Sequence, residues 1–562
     1  MFAKGESRCN PWAVLGVVSL GLFMTLLDLT IVNIAIPNMI TKLHASLDDV
    51  LWMLNAYALV LAVLVITAGR LGDLLGPRTM FAAGITVFTS ASAACGFAPG
   101  PGWLIAFRAV QGLGAAMLMP QTLAMITMVF PPDRRGTAFG VFGAVAGCAS
   151  IAGPALGGLL VTAFDWRWIF FVNLPIGVIV LVSTFMFIPD LRPGRRHRLD
   201  IRGVMLASVA LLAICYALIE GQRYDWGKIS GLISIPLIAG AGVVLLVTFV
   251  VDQALRQKSQ HEPLIPFELF LSRNYTLMNW VSCAMAIGMN GIFLPLIIYL
   301  QSALGYSALK GGLTLLPALL TSVVLAPGIG KLTDKIGGKY ILISGLSLTG
   351  IGMGWVALVA GTHSAWFDFL APLTVAGIGI GGTFTPLTTM AMRDVEPRLA
   401  GAASGVLNTA RQVGSVTGTT VVGALLQNRL VAALTSAAAV RSRVLPSQVR
   451  TPFVNGFRQA ASSGLAGGSG SLAVKAPPGT SPSVAAEFQR LGTEVFTSGY
   501  IDAMRWTMVL PIAVLGLAAV SCFGIRRVTG GPTAPPDAEA IAMTGAISSP
   551  GQSPGSGSGT GA

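Results

Sequence analysis

Gly69-Arg70-Leu71-Gly72-Asp73-Leu74-Leu75-Gly76-Pro77-Arg78 recurs 261 residues later as Gly330-Lys331-Leu332-Thr333-Asp334-Lys335-Ile336-Gly337-Gly338-Lys339, with four identities and a basic residue kept at two further positions. A second set, Pro132, Gly136, Ala138 and Gly140 against Pro397, Gly401, Ala403 and Gly405, recurs at an offset of 265. Two markers at nearly one offset are hard to attribute to chance, so the chain reads as two related halves.

Outward from these markers the sequence is a series of apolar runs, near 12–37, 50–68, 79–98, 103–129, 138–163, 168–189, 203–220, 229–251, 275–300, 312–329, 340–360, 369–391, 401–427 and 505–525. Each is long enough to cross about 30 Å of hydrocarbon as a helix. The expectation is an all-α polytopic membrane protein of fourteen transmembrane helices. Its parts are a six-helix bundle at 12–190, two inserted helices at 203–251, and a second six-helix bundle at 274–528. The Ala, Gly and Ser-rich stretch 429–503 is expected as a long extracellular loop, partly disordered or capping the exit, and 529–562 as a disordered cytoplasmic tail. Lys and Arg concentrate on the N-terminal side of the spans, which places both termini in the cytoplasm. The first run lacks a cleavage-site pattern and reads as a span rather than a signal peptide.

Composition agrees: 53% of the 562 residues are hydrophobic and 10% charged, with 68 glycines. Mean hydropathy is +0.74. This excludes a water-soluble protein. The formal charge of +13 is scattered in small groups, so no nucleic-acid stripe forms. Six dispersed cysteines and four histidines, all of the latter between apolar runs, offer no metal-ligand spacing, and no cofactor is expected.

Within the first run, Leu27-Asp28-Leu29-Thr30 carries a carboxylate into apolar sequence. A charge there costs roughly 2.5–3.5 kcal/mol on insertion scales, which makes Asp28 a functional candidate. Asp28 lies nine residues before Pro37 and Arg108 seven after Pro101, about 13 Å and about 10 Å along their helices at 1.5 Å per residue. They can therefore meet at matching depth, as a proton-coupling pair or as a structural ion pair. Candidate cavity residues are Asn33, Trp52, Asn55, Tyr57, Gln111, Met289, Asn290, Phe293, Arg411 and Gln412. Trp52 reads equally well as an interfacial anchor.

Six stretches taken together resemble the major facilitator superfamily, and within it the fourteen-helix drug/proton antiporters of the EmrB and QacA type. They are Leu27-Asp28-x-Thr30-x-Val32-Asn33-x-Ala35-x-Pro37; the 69–78 motif; Arg108-x-x-Gln111-Gly112-x-Gly114; Gly153-Pro154-x-x-Gly157-Gly158; Tyr299-Leu300-Gln301 through Gly305-Tyr306-Ser307 to Leu316-Pro317; and Asn408-x-x-Arg411-Gln412-x-Gly414. The resemblance implies the major facilitator fold and alternating access. It implies that Gly69, Arg70, Asp73, Gly76 and Arg78, with Gly330, Lys331, Asp334, Gly337 and Lys339, form cytoplasmic switch loops. Leu74 and Pro77 stand where the family has basic residues, which leaves that loop's charge to Arg70 and Arg78. Gly153, Pro154, Gly157 and Gly158 match the antiporter motif and imply exchange, with ordinary close packing as the alternative.

The implied function is proton-coupled export of hydrophobic small molecules, drugs or antibiotics, across the cytoplasmic membrane. With one titrating site, neutral or monocationic substrates are expected, carried by a lipid-embedded monomer. A dedicated exporter of one natural product, amino acid or lipid, and a non-transporting membrane sensor, remain open. No Walker spacing or catalytic cluster supports ATP drive or an enzyme.

Overall fold

The structure is a computed structural model, and it describes residues 10–43, 45, 47–190, 200–221, 223–224, 226–259, 263–396, 399–462 and 481–526. The tail at 529–562, Pro397 and most of the basic segment beginning at Arg192 lie outside them.

Backbone polar groups in hydrocarbon have no water to bond, so they must be satisfied within each segment, and the chain answers with helices. In order these are α1 (Pro11–Leu43), α2 (Leu47–Leu75), α3 (Pro77–Gly96), α4 (Pro101–Val129), α5 (Arg135–Ala163), α6 (Trp168–Phe171), α7 (Asn173–Phe187), α8 (Ile201–Glu220) and α9 (Ile235–Lys258). They continue as α10 (Glu268–Leu271), α11 (Arg273–Ile298), α12 (Ala308–Ile336), α13 (Lys339–Val359), α14 (Leu370–Arg393), α15 (Ala400–Arg441), α16 (Ser447–Ser462) and α17 (Pro482–Ser521). Among the described residues thirteen spans are long and apolar enough to cross a membrane. The expected count of fourteen is thus met for thirteen, with α5 a further 29-residue helix packed among them. Proline opens α1, α3, α4 and α17, where its missing N–H goes unneeded. Ser234, Ser272 and Ser307 cap α9, α11 and α12 by accepting the N–H three residues on.

Helices α1, α2, α3, α4, α5 and α7 pack on one another, and α11 to α15 with α17 do likewise. The two sets meet along α2–α15 and α5–α12. Between them in sequence, α8 and α9 pack together, and α8 leans on α2 and α15. A two-stranded hairpin, β1 (Lys228–Ser230) and β2 (Ile233–Ser234), joins α8 to α9. Val243, Val244, Val247, Val250 and Val251 of α9 are exposed, as a lipid-facing stripe requires.

Two readings from sequence change. The stretches 69–78 and 330–339 are not loops: helix runs to Leu75 and to Ile336, and restarts at Pro77 and Lys339. The reversal falls on Gly76 and Gly337, at φ 94° and 83°, a region that side chains disfavour. Where it is described, at 429–462 and 481–503, the expected long loop is mostly helical, because α15 continues to Arg441, α16 follows, and α17 begins at Pro482; 463–480 lie outside the described residues. Its Ala-rich composition favours helix, and Phe453, Phe457 and Phe488 bury one another, with Phe453 ring centroids 5.1 Å and 4.8 Å from the other two. Arg441 and Glu494 tie α15 to α17 at 2.5 Å.

Candidate functional site

Helix α1 brings Asp28 against Arg108 and Gln111, one turn apart on α4, and against Asn173 at the first position of α7. Arg108 Nη1 donates to Asp28 Oδ2. Gln111 Nε2 and Asn173 Nδ2 donate to Asp28 Oδ1 at 2.8 Å and 3.2 Å. The guanidinium also donates to the Met53 carbonyl at 3.1 Å and to Gln111 Oε1 at 2.8 Å. It lies 4.6 Å from the centroid of the buried Tyr57 ring. Asn173 reaches Ser92 Oγ on α3 at 3.1 Å. Asp28 is 0% exposed and Arg108 1%, so the protein alone solvates the pair. Burying two charges is costly unless the remaining lone pairs and protons find partners. Here α2, α4 and α7 supply them, through Met53 O, Gln111 and Asn173.

Of the cavity candidates, Tyr57 and Gln111 belong to this cluster, and Asn33 and Trp52 do not. Asn33 is exposed and donates to its own helix at Leu29 O, 3.2 Å away. Trp52 points to α8, its ring 5.9 Å from Tyr216. Asn290 likewise bonds its own turn at Ala286 O, 3.0 Å, and Asn55, Met289, Phe293 and Gln412 are half-buried. Arg411 Nη2 donates to Asn408 Oδ1 at 2.6 Å, and its guanidinium faces Phe384. Asn173 and Ser92 escaped the sequence reading. Asn173 stands five residues inside the run that starts at Trp168, a polar interruption like Asp28 without its charge.

At the N-terminal ends of α5 and α15 the repeated motifs clasp crosswise. Asp73 accepts the N–H groups of Gly401 and Ala402, each at 2.8 Å. Asp334 accepts those of Gly136 at 2.7 Å and Thr137 at 2.8 Å, and the Thr137 hydroxyl at 2.8 Å. Each carboxylate thus caps the unsatisfied, partly positive start of a helix from the other half. Glycine makes the approach possible: a Cβ on Gly330 would stand 2.3 Å from the Gly136 carbonyl oxygen. Arg135 adds a clamp by donating to Met392 O and Arg393 O at 3.1 Å each.

A family profile described as Major Facilitator Superfamily matches residues 18–419. The chain belongs to this superfamily. It is 39% identical over 459 residues to an uncharacterized MFS-type transporter, Rv1250, of Mycobacterium tuberculosis, covering 80% of this chain and 78% of that one. It is 34% identical to the tetracenomycin C resistance and export protein of Streptomyces glaucescens over 75% of this chain and 77% of that one. With the multidrug resistance protein Stp of Mycobacterium tuberculosis the figures are 33%, 74% and 76%. The fold also matches the human organic anion transporter MFSD10, at a TM-score of 0.53 and 14% identity, over 90% of this chain and all of that one.

In this superfamily chain the residues expected to form switch loops divide by partner. Gly69 packs on Gly401, and Arg70 is buried. Arg78 stays within its own half, donating to Phe185 O on α7 at 2.9 Å. Lys339 caps the end of α17 through Phe523 O and Ile525 O, at 2.7 Å and 2.8 Å, and Lys331 is exposed. In α5, Gly153 packs against Thr30 two residues beyond Asp28, and Gly157 is buried. The helix is continuous through position 154. Tyr299-Leu300-Gln301 forms a π-turn ending α11, with the Tyr299 hydroxyl donating to Gly361 O at 2.7 Å.

Proposed function

We propose that this chain exports hydrophobic small molecules, drugs or antibiotics, from the cell in exchange for protons, with both termini cytoplasmic. The observation carrying the reading is the sealed Asp28–Arg108–Gln111–Asn173 cluster in a superfamily transporter whose relatives are named for multidrug and antibiotic resistance. Burial and ion pairing act in opposite senses on a carboxylate's hold on its proton, so a movement that changes either one changes proton affinity. Asp28 has both at once. In the cycle, Asp28 takes a proton while open to one side and gives it up on the other. The clasps at Asp73 and Asp334 close one side and must part for the other to close.

A narrower range, one natural product rather than many drugs, is favoured by the relatives named for tetracenomycin C and, as a probable transporter, for actinorhodin. Efflux from substrate-loaded vesicles under an imposed pH gradient tests the main reading. The wild type should empty faster with the gradient than without it, and Asp28→Asn should show no difference. Equal rates in the wild type would refute proton exchange.

A further inference from the structure

One intramembrane cation is left out of the cluster. Arg411 lies eleven residues from Ala400 on α15, about 16 Å along the helix. Phe384 lies nine residues from Arg393 on α14, about 14 Å. Both positions fall near mid-depth of a hydrocarbon layer about 30 Å thick. The guanidinium carbon is 5.7 Å from the Phe384 centroid, and one amino group donates to Asn408 Oδ1 at 2.6 Å. Among the described residues no carboxylate pairs with Arg411, and Asp28 is engaged by Arg108, Gln111 and Asn173.

The surroundings bridge the two sets of helices. A Cβ on Gly143 of α5 would stand 3.2 Å from the Phe384 ring and 3.6 Å from Thr385 Oγ. That hydroxyl is buried without a hydrogen-bond partner. A guanidinium fork therefore faces an aromatic ring that itself packs at the meeting of α5 and α14, and the next residue along α14 carries a spare hydroxyl. Arginine does not deprotonate in proteins, so Arg411 is unsuited to carrying the coupling proton. Its planar fork suits a carboxylate or other delocalised oxyanion, and an unpaired charge at this depth is costly until one arrives.

We propose that Arg411 receives the negatively charged group of the exported molecule, and that the substrates include amphipathic aromatic monoanions whose ring lies against Phe384. The word substrate rests on the export reading above. A one-proton cycle that ejects a monoanion moves two positive charges inward per turnover. The membrane potential then drives it harder than it drives the export of a neutral molecule or a monocation.

Two fluorescent probes test this on the full-length protein in lipid nanodiscs: anthracene-9-carboxylate and its uncharged methyl ester. The wild type should bind the acid at least about tenfold more tightly than the ester, the scale of one charge-assisted hydrogen bond. Arg411→Gln should bring the acid's affinity down to the ester's, and Arg411→Lys, which keeps the charge and loses the fork, should fall between. Thermal unfolding of each variant checks that it is folded. Equal affinities in the wild type, no saturable binding of the acid, or a preference that survives in a folded Arg411→Gln or is undiminished in Arg411→Lys would overturn the proposal. Efflux of the ester under a pH gradient is read in vesicles made from the same protein. Failure there with the acid preference intact refutes export alone, and efflux without the preference refutes the anion site alone.

Discussion

Asp73 on α2 and Gly401 on α15 are joined by a 2.8 Å hydrogen bond across the line where the two halves of the chain meet. The repeat-related pair, Asp334 and Gly136, is joined at 2.7 Å on the other side. Hydrogen bonds to a charged group contribute about 1.5–3 kcal/mol each. Five such bonds, two to Asp73 and three to Asp334, join the two halves at this face.

Replacing Asp73 by Asn keeps one acceptor oxygen and removes the charge. Spin labels at the ends of α2 and α15 should show a longer-distance population in Asp73→Asn, larger still when Asp334→Asn is added. An unchanged distance distribution in the double variant would show that the clasps do not hold the face closed.

Gly330→Ala tests the close approach directly, since the new methyl group would stand 2.3 Å from the Gly136 carbonyl oxygen, whereas Gly328 has nothing within 4 Å of a built Cβ. Gly330→Ala should lower the melting temperature and open the α5–α12 contact, with Gly328→Ala as the matched control. Overpacking of this kind costs about 1–3 kcal/mol. Equal melting temperatures for the two variants would contradict the packing argument.

Arg108→Leu leaves the Asp28 carboxylate buried without its cation, a change worth roughly 3–5 kcal/mol. Its yield and melting temperature should drop sharply, and adding Asp28→Asn should restore part of the loss. A double variant no more stable than Arg108→Leu would mean that the pair is not energetically coupled.

Glu220, at the end of α8, is paired with Arg223 at 3.3 Å, away from the Asp28 cluster. Glu220→Gln should keep most of the wild-type turnover in the vesicle assay. Complete loss of transport by a folded Glu220→Gln protein would bring α8 into the mechanism.

Phe453→Ala removes the ring shared by Phe457 and Phe488, a loss of about 3–5 kcal/mol for a buried phenylalanine. Limited proteolysis should then cut between 447 and 503 faster, with the other helices protected. Identical cleavage would mean that the aromatic cluster does not hold this region together.

Part of the fold and of the site is legible in the sequence, for definite reasons. Asp28 and Arg108 stand out because charge in an apolar run is rare, and their matching depths follow from helix rise. Asn173 did not stand out, because a neutral amide near a span end resembles many others, and its bond to Asp28 joins residues 145 apart in the chain. The offsets of 261 and 265 announced two halves without saying that Asp73 of one would cap the helix at Gly401 of the other. The stretch 429–503 was misread because its small residues resemble a linker, while Phe453 and Phe457, four apart, already carried a helical period.

Helices α15 and α17, at 42 and 40 residues, are each about 60 Å long, twice the hydrocarbon thickness. The end of α15 near Gly401 is gripped by Asp73, and its far end is braced to α17 by Arg441. Such a rod is a lever. A tilt of about 10° about the gripped end would carry the tip through about 10 Å, by the rise per residue. An antibody fragment or a fluorophore on the far tip would therefore report, from outside the bilayer, whether the clasp at the opposite end is open or shut.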